Sequence, residues 1–248
     1  MACTNHTPSG SETSNTSRFS NCNFIVDDSN IFAANNAAYS DMITMWGVNG
    51  IAIRGCHFSD DRTDSTSGGN AISLVSAGAN IKPSCAVGDY SVNSPCFCNG
   101  EANNTFSGFA KGINAMNTGT NYPFSVFKTD FENCQYPVYS SGVNNYKVTA
   151  SDFDLTDSGL TQTAYGVFSN NCTGFTIEGN DFYRNRSTIG NYATFGVFVQ
   201  NSGSDYNSIY RNSFDKLADG IYSGNNPSLQ ILCNDFSNSF FTDIYAAS

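Results

Sequence analysis

The sequence predicts an all-β fold, a single-domain right-handed parallel β-helix. Three observations predict it: a Phe-terminated segment that recurs along the chain, a second short strand upstream of most copies, and spacings that leave no helical period between strands. The segment is eight residues long. IAIRGCHF ends at Phe58, FSVFKTDF at Phe131, YKVTASDF at Phe153, FTIEGNDF at Phe182, NSIYRNSF at Phe214 and LQILCNDF at Phe236, while Phe24 and Phe106 close two weaker copies. Its third position is Ile53, Val126, Val148, Ile177, Ile209 and Ile231, always β-branched. Mostly apolar first and third positions flank a mostly polar second, the alternation of a strand with one buried face. The Phe column keeps phase with the β-branched one, which places both in the core. The sixth position is Asn180, Asn212 or Asn234 in three copies and Cys56, Thr129 or Ser151 in the others. Such residues suit a turn or a stacked hydrogen-bonding row at a corner.

The second strand is carried by Gly112-Ile113, Pro137-Val138-Tyr139, Gly166-Val167-Phe168, Gly196-Val197-Phe198-Val199 and Gly220-Ile221-Tyr222. Each coil therefore holds at least two strands. Phe-to-Phe steps run from 22 residues (Phe131 to Phe153) to 48 (Phe58 to Phe106), so the cross-section is constant and the loops vary. The short steps exclude a βαβ crossover of about 30 or more residues. Parallel stacking remains, with about eight to nine coils over roughly 40 Å at the spacing of strands in a sheet.

The pattern Gly-[Ile/Val]…apolar-x-[Ile/Val]-x-x-Asn-x-Phe resembles the parallel β-helix repeat of pectate-lyase-like proteins. The C-terminal half, with GVFSNNCTGFTIEGNDF, SIYRNSF and LQILCNDFSN, is more narrowly similar to β-helix regions of large bacterial surface proteins exported by the type IX system. The resemblance covers residues 19–248, is regular after 107 and poor between 59 and 106. It implies a fold, and an extracellular or cell-surface location, far more strongly than an activity.

Composition agrees with many turns. Asn occurs 32 times and Gly 22 times, both residues that tolerate positive φ, and charged residues are only 13% of the 248. We divide the chain into a polar tail at 1–18 and a β-helix at 19–248 with an irregular insertion at 59–106. Nine Cys, an odd count without C-x-x-C pairs or nearby His, argue against zinc and against a complete disulfide framework. Cys85, Cys96 and Cys98 cluster in the insertion, where a loop-closing bridge is one of two open alternatives. The net charge of −10 and scattered Lys and Arg give no footprint for a phosphate backbone, so nucleic acid is not an expected partner. No apolar run reaches the length of a membrane span. Residues 237–248 begin another strand without an amphipathic helix to cover it. A solenoid needs covered ends, so the expectation is a chain that continues or a neighbour that caps this edge, with end-to-end self-association as the solution sign.

Candidate chemistry lies on the outward rows. Asp130, Asp152 and Asp181 hold the seventh position of three successive coils, where like charges directly opposite destabilise a pair. Either each carboxylate is solvated in its own turn, or a hard cation such as Ca²⁺ offsets the repulsion, making these three the candidate metal ligands. The candidate sugar-stacking residues are Tyr183, Tyr192, Tyr206 and Tyr210. For an enzyme, the resemblance implies a Ca²⁺-dependent polysaccharide lyase with an Arg or Lys base. Lys147 and Arg184 are the catalytic candidates, with Asp152 and Asp181 on the same face. Lys128 and Arg211 share the fifth position but lie about 14 Å apart by coil spacing. The reading preferred on these grounds is a non-catalytic structural or adhesive segment of a larger secreted or surface protein that contacts a polysaccharide or cell-surface partner. Its alternatives are a lyase acting on acidic glycan and a carbohydrate-binding module.

Overall fold

The computed structural model describes residues 17–27, 41–62, 69–84, 102–117, 122–155, 163–185 and 193–247. Every regular element among them is a strand. Coil 1 is β1 (Arg18–Ser20), β2 (Asn23–Val26) and β3 (Asp41–Trp46); coil 2 is β4 (Ile51–Arg54), β5 (His57–Asp60) and β6 (Asn70–Val75); coil 3 is β7 (Ala79–Lys82), β8 (Asn104–Ser107) and β9 (Lys111–Met116). Coil 4 follows with β10 (Ser125–Phe127), β11 (Thr129–Glu132) and β12 (Tyr136–Ser141), and coil 5 with β13 (Lys147–Thr149), β14 (Asp152–Asp154) and β15 (Ala164–Asn170). Coil 6 is β16 (Thr176–Glu178), β17 (Asp181–Tyr183) and β18 (Thr194–Gln200), and coil 7 is β19 (Asn207–Tyr210), β20 (Ser213–Asp215) and β21 (Asp219–Gly224). Coil 8 closes with β22 (Leu229–Leu232), β23 (Asp235–Ser237) and β24 (Thr242–Ala247). First, second and third strands of the coils form three eight-stranded parallel sheets, here A, B and C. The fold is the expected parallel β-helix, with the right-handed sense that parallel crossovers take.

The interior is three ladders in register. On sheet A, Ile53, Ile81, Val126, Val148, Ile177 and Ile209 are fully buried one above another. On sheet B, Phe24, Phe58, Phe106, Phe131, Phe153, Phe182, Phe214 and Phe236 stack with centroids 4.5–5.1 Å apart and planes within 3–19°. On sheet C, Ile43, Ile72, Ile113, Val138, Val167, Val197, Ile221 and Ile244 share one row. Parallel in-register stacking brings like side chains together, so one good contact is repeated at every step. The glycine before this last row has a steric cause: a Cβ on Gly166 would lie 2.6 Å from the Phe182 ring, and one on Gly196 would lie 2.5 Å from Phe214.

The corner between sheets A and B uses two devices. A residue at positive φ turns the chain, at Gly55, Lys128, Ala150, Gly179, Arg211 and Cys233. The next residue points inward and ties coils together. Asn212 accepts from the Asn180 N–H at 3.0 Å and donates to the Ile177 carbonyl at 3.0 Å, and Asn234 repeats this for Asn212. The Ser151 hydroxyl accepts from the Thr129 N–H of the preceding coil at 3.2 Å and donates back to the Thr149 carbonyl at 3.0 Å, and the thiol of Cys56 donates back to the Arg54 carbonyl. The expected hydrogen-bonding row at a corner is therefore present, and Asn104 extends it into coil 3 by accepting from the Cys56 N–H at 2.9 Å.

The stretch 59–106, read from sequence as an irregular insertion, contains β6 and β7 and the start of β8, which supply regular rungs to all three sheets. The eight-residue unit of coil 3 is split after Lys82 and resumes at Asn104, which is why it was not recognisable as one segment. Cys85, Cys96, Cys98 and most of the tail at 1–18 lie outside the described residues. Cys22, Cys56, Cys134 and Cys172 are buried thiols, while Cys233 is an exposed one.

Candidate functional site

Strand alternation sends one row of each sheet outward, so the solenoid presents three long faces of different chemistry. On sheet B the seventh-position row reads Thr105, Asp130, Asp152, Asp181, Ser213 and Asp235, and the row two residues on reads Ser107, Glu132, Asp154, Tyr183, Asp215 and Ser237. Seven carboxylates thus share one face over coils 4–8. Asp152 stands directly between Asp130 and Asp181, and partial burial followed by these two neighbours raises its pKa above the usual 3.8. Asn103 donates to both oxygens of Asp130 at 3.2 Å. Asp215, which is partly exposed, goes the other way because Asn238 and Ser237 donate to it at 2.9 Å and Lys216 lies 3.4 Å off. Among the described residues no three or more His, Cys, Asp or Glu are grouped so as to hold a metal ion. Asp130, Asp152 and Asp181 are brought together only as consecutive rungs.

The candidate catalytic pair is not brought together. Lys147 opens β13 and projects from sheet A, exposed. Arg184 follows β17 at the turn toward sheet C and is 1% exposed, in register with the buried Leu155 of the preceding coil. A base that acts on a long polymer must reach its proton, and a fully buried group does not.

The candidate tyrosines are also dispersed. Tyr183 lies on the acidic face between Asp154 and Asp215, and its phenol is pushed up by burial and then by Asp154, Asp152, Asp130 and Glu132. Tyr210 is on sheet A, with the Arg211 guanidinium 4.8 Å from its ring centre. Tyr206 is 59% exposed just before β19. Tyr192 lies outside the described residues.

The aromatic surface that sequence reading missed is the outer face of sheet C. Tyr139, Phe168, Phe198, Tyr222 and Tyr245 stack with centroids 4.3–5.3 Å apart. Tyr136, Tyr165 and Phe195 form a parallel row at 5.0 and 5.2 Å, and the two rows meet edge to face at 5.4–5.6 Å. The Lys111 ammonium sits 4.0 Å from the Tyr139 ring centre, and burial lowers its pKa against the opposing pull of Asp41. Each inner ring has both faces against its neighbours, which leaves edges rather than faces toward solvent. Sugar rings stack on faces, so this ladder stiffens the sheet instead of offering a platform.

No protein family matches the sequence, and no curated protein matches it closely enough to count as a relative. Among solved structures, the surface adhesin PfbA of Streptococcus pneumoniae is similar at 13% identity and a TM-score of 0.48, over 83% of this chain and 59% of the adhesin's.

Proposed function

We propose that this chain is a non-catalytic structural or adhesive β-helix segment of an extracellular or surface protein, one that works by presenting long uniform faces. The observation that carries this reading is the regularity of the outward rows: seven carboxylates recur on sheet B and eight aromatic rings on sheet C. Catalysis needs an acid and a base converging on one point, whereas Lys147 and Arg184 belong to different parts of the cross-section and Arg184 is buried. The acidic face also repels an acidic glycan unless a cation intervenes, which weighs against the uronate-lyase reading.

The test incubates the chain with uronic-acid polymers and Ca²⁺ while following the ultraviolet absorbance of an unsaturated product. In parallel, beads coated with the chain are offered surfaces bearing neutral, acidic and amino-bearing glycans. Retention of beads on at least one surface with flat absorbance is expected. A rise in absorbance that Lys147→Ala removes would overturn the proposal, and beads that adhere to no surface would overturn its adhesive half.

A further inference from the structure

The outer face of sheet C is aromatic and uncharged through coils 4–6, in the middle of the stack. Tyr136, Tyr139, Tyr165, Phe168, Phe195 and Phe198 are half-buried there, and the outward row beside them is Ser141, Asn170 and Gln200. A charge bounds this patch on either side. The row that holds Tyr136, Tyr165 and Phe195 begins with Lys111 on coil 3 and closes with Asp219 on coil 7. Both charged residues lie the same number of coils from Tyr165, and they are opposite in sign. Along the solenoid the row is therefore antisymmetric about coil 5.

A face of this kind is complementary to itself. Turning a second copy by half a turn about an axis along β15 lays sheet C on sheet C with strands parallel and solenoid axes opposed, so that coil 3 meets coil 7 and coil 4 meets coil 6. Lys111 of each copy then faces Asp219 of the other, and Tyr165 and Phe168 lie at the axis against their own counterparts. A two-fold along the solenoid would instead pair coil 3 with coil 3 and leave both charges without an opposite. The rings step by 4.3–5.2 Å from Tyr136 and Tyr139 through Phe195 and Tyr222, so the ring edges of one copy fit between those of another with the same repeat at every coil. Elsewhere two copies repel: the net charge is −10, and sheet B carries a row of carboxylates.

We infer that the outer face of sheet C is a homodimer interface, in which two copies of this chain pack with opposed solenoid axes and two Lys111 to Asp219 ion pairs flank the joined aromatic ladders. The overlap of coils 2–8 covers roughly 34 by 20 Å, about 700 Å² per copy, close to the roughly 800 Å² per partner of a standard interface. Aromatic rings supply the buried area, and the paired charges fix the direction of packing. The pairing does not rest on the adhesive reading and leaves the acidic face of each copy outward.

Sedimentation velocity of the full chain over a concentration series of about 1–100 μM, in salt of about 0.15 M, reads the association state. A monomer–dimer equilibrium is expected. Phe168→Lys sets two ammonium groups against each other at the axis and is expected to leave monomer at every concentration, with the circular dichroism unchanged. Lys111→Asp and Asp219→Lys each replace two ion pairs by two like-charge pairs and are expected to weaken the dimer by at least about tenfold. An equimolar mixture of these two variants is expected to restore it, because in the mixed dimer both facing pairs are again opposite in sign. A chain that stays monomeric throughout, a dimer that survives Phe168→Lys, or a mixture no more dimeric than its components would each overturn the inference.

Discussion

Ala150 turns the corner from sheet A to sheet B at φ 49°, a conformation that costs an L-residue with a Cβ about 1–2 kcal/mol and glycine almost nothing. Gly179 holds the same corner one coil later at φ 64° with open space around it. The side chain of Ala150 is exposed, so removing its methyl group sacrifices no packing. Ala150→Gly is therefore expected to stabilise the chain by about 0.5–1 kcal/mol, less than the full relief because the unfolded glycine chain is freer. Urea denaturation measures this, and an unchanged or lower midpoint would show that the corner is not strained. The same scale explains which residues were legible. Asn180, Asn212 and Asn234 declared their corner through identity at one position, whereas Cys56, Thr129 and Ser151 concealed it, because three different side chains fill the position even though the Ser151 hydroxyl still accepts from the Thr129 N–H of the neighbouring coil at 3.2 Å.

Within sheet B the acidic row sets the pH response. The pKa of Asp152 is raised on folding, so between the unfolded value near 3.8 and the folded value the native chain binds more protons than the unfolded one. Stability contributed by this site then falls as pH rises through that window, and above it the ionised group is a net cost. Asp215 works in the opposite sense: its lowered pKa adds stability above the usual carboxylate range that is lost as pH falls through the folded value. Asp152→Asn is expected to raise the neutral-pH stability by about 0.5 kcal/mol, the scale of a like-charge cross-strand pair, and the gain should vanish as the pH is lowered to about 3. Thermal melts at neutral and low pH check both halves. A millimolar Ca²⁺ arm tests the cation proposal. A Tm rise beyond that of NaCl at equal ionic strength, absent in Asp152→Asn, assigns the offset to a bound ion, and equal rises assign it to screening.

Legibility at this scale followed parity. The buried face of sheet B was readable because Phe recurs without exception, and the acidic row beside it because its phase is the opposite one. Sheet C was read only in its inner row. Tyr139, Phe168, Phe198 and Tyr222 each follow the inward Val or Ile, so alternation places them outside, but large aromatic residues in a strand are read by default as core. Coil 3 was lost for another reason: its unit is divided between Ile81 and Asn104, and a fixed-length pattern does not survive a loop at its own corner.

For the whole molecule, a solenoid is a one-dimensional stack in which each coil contacts its neighbours alone, so its stability is a sum of local terms coupled between adjacent coils. Damage at one interface should therefore propagate weakly. Gly166 lies at the boundary of coils 5 and 6, where an added Cβ would sit 2.6 Å from Phe182 and 2.5 Å from the Gly196 carbonyl, with backbone on one side and a stacked ring on the other. Neither can retreat without disturbing its own ladder, so Gly166→Ala should cost about 1–3 kcal/mol. Hydrogen exchange distinguishes a local from a global loss. In the wild-type chain, amides of β22–β24 are expected to exchange fastest among the strands, because none of their residues is buried, and those of β13–β19 slowest. In Gly166→Ala the loss of protection should centre on β14, β15, β17 and β18, with β4–β9 keeping their wild-type rates. Uniform acceleration along the chain would instead mean that the coils unfold as one cooperative unit, with coupling between neighbours stronger than the stability of any single interface.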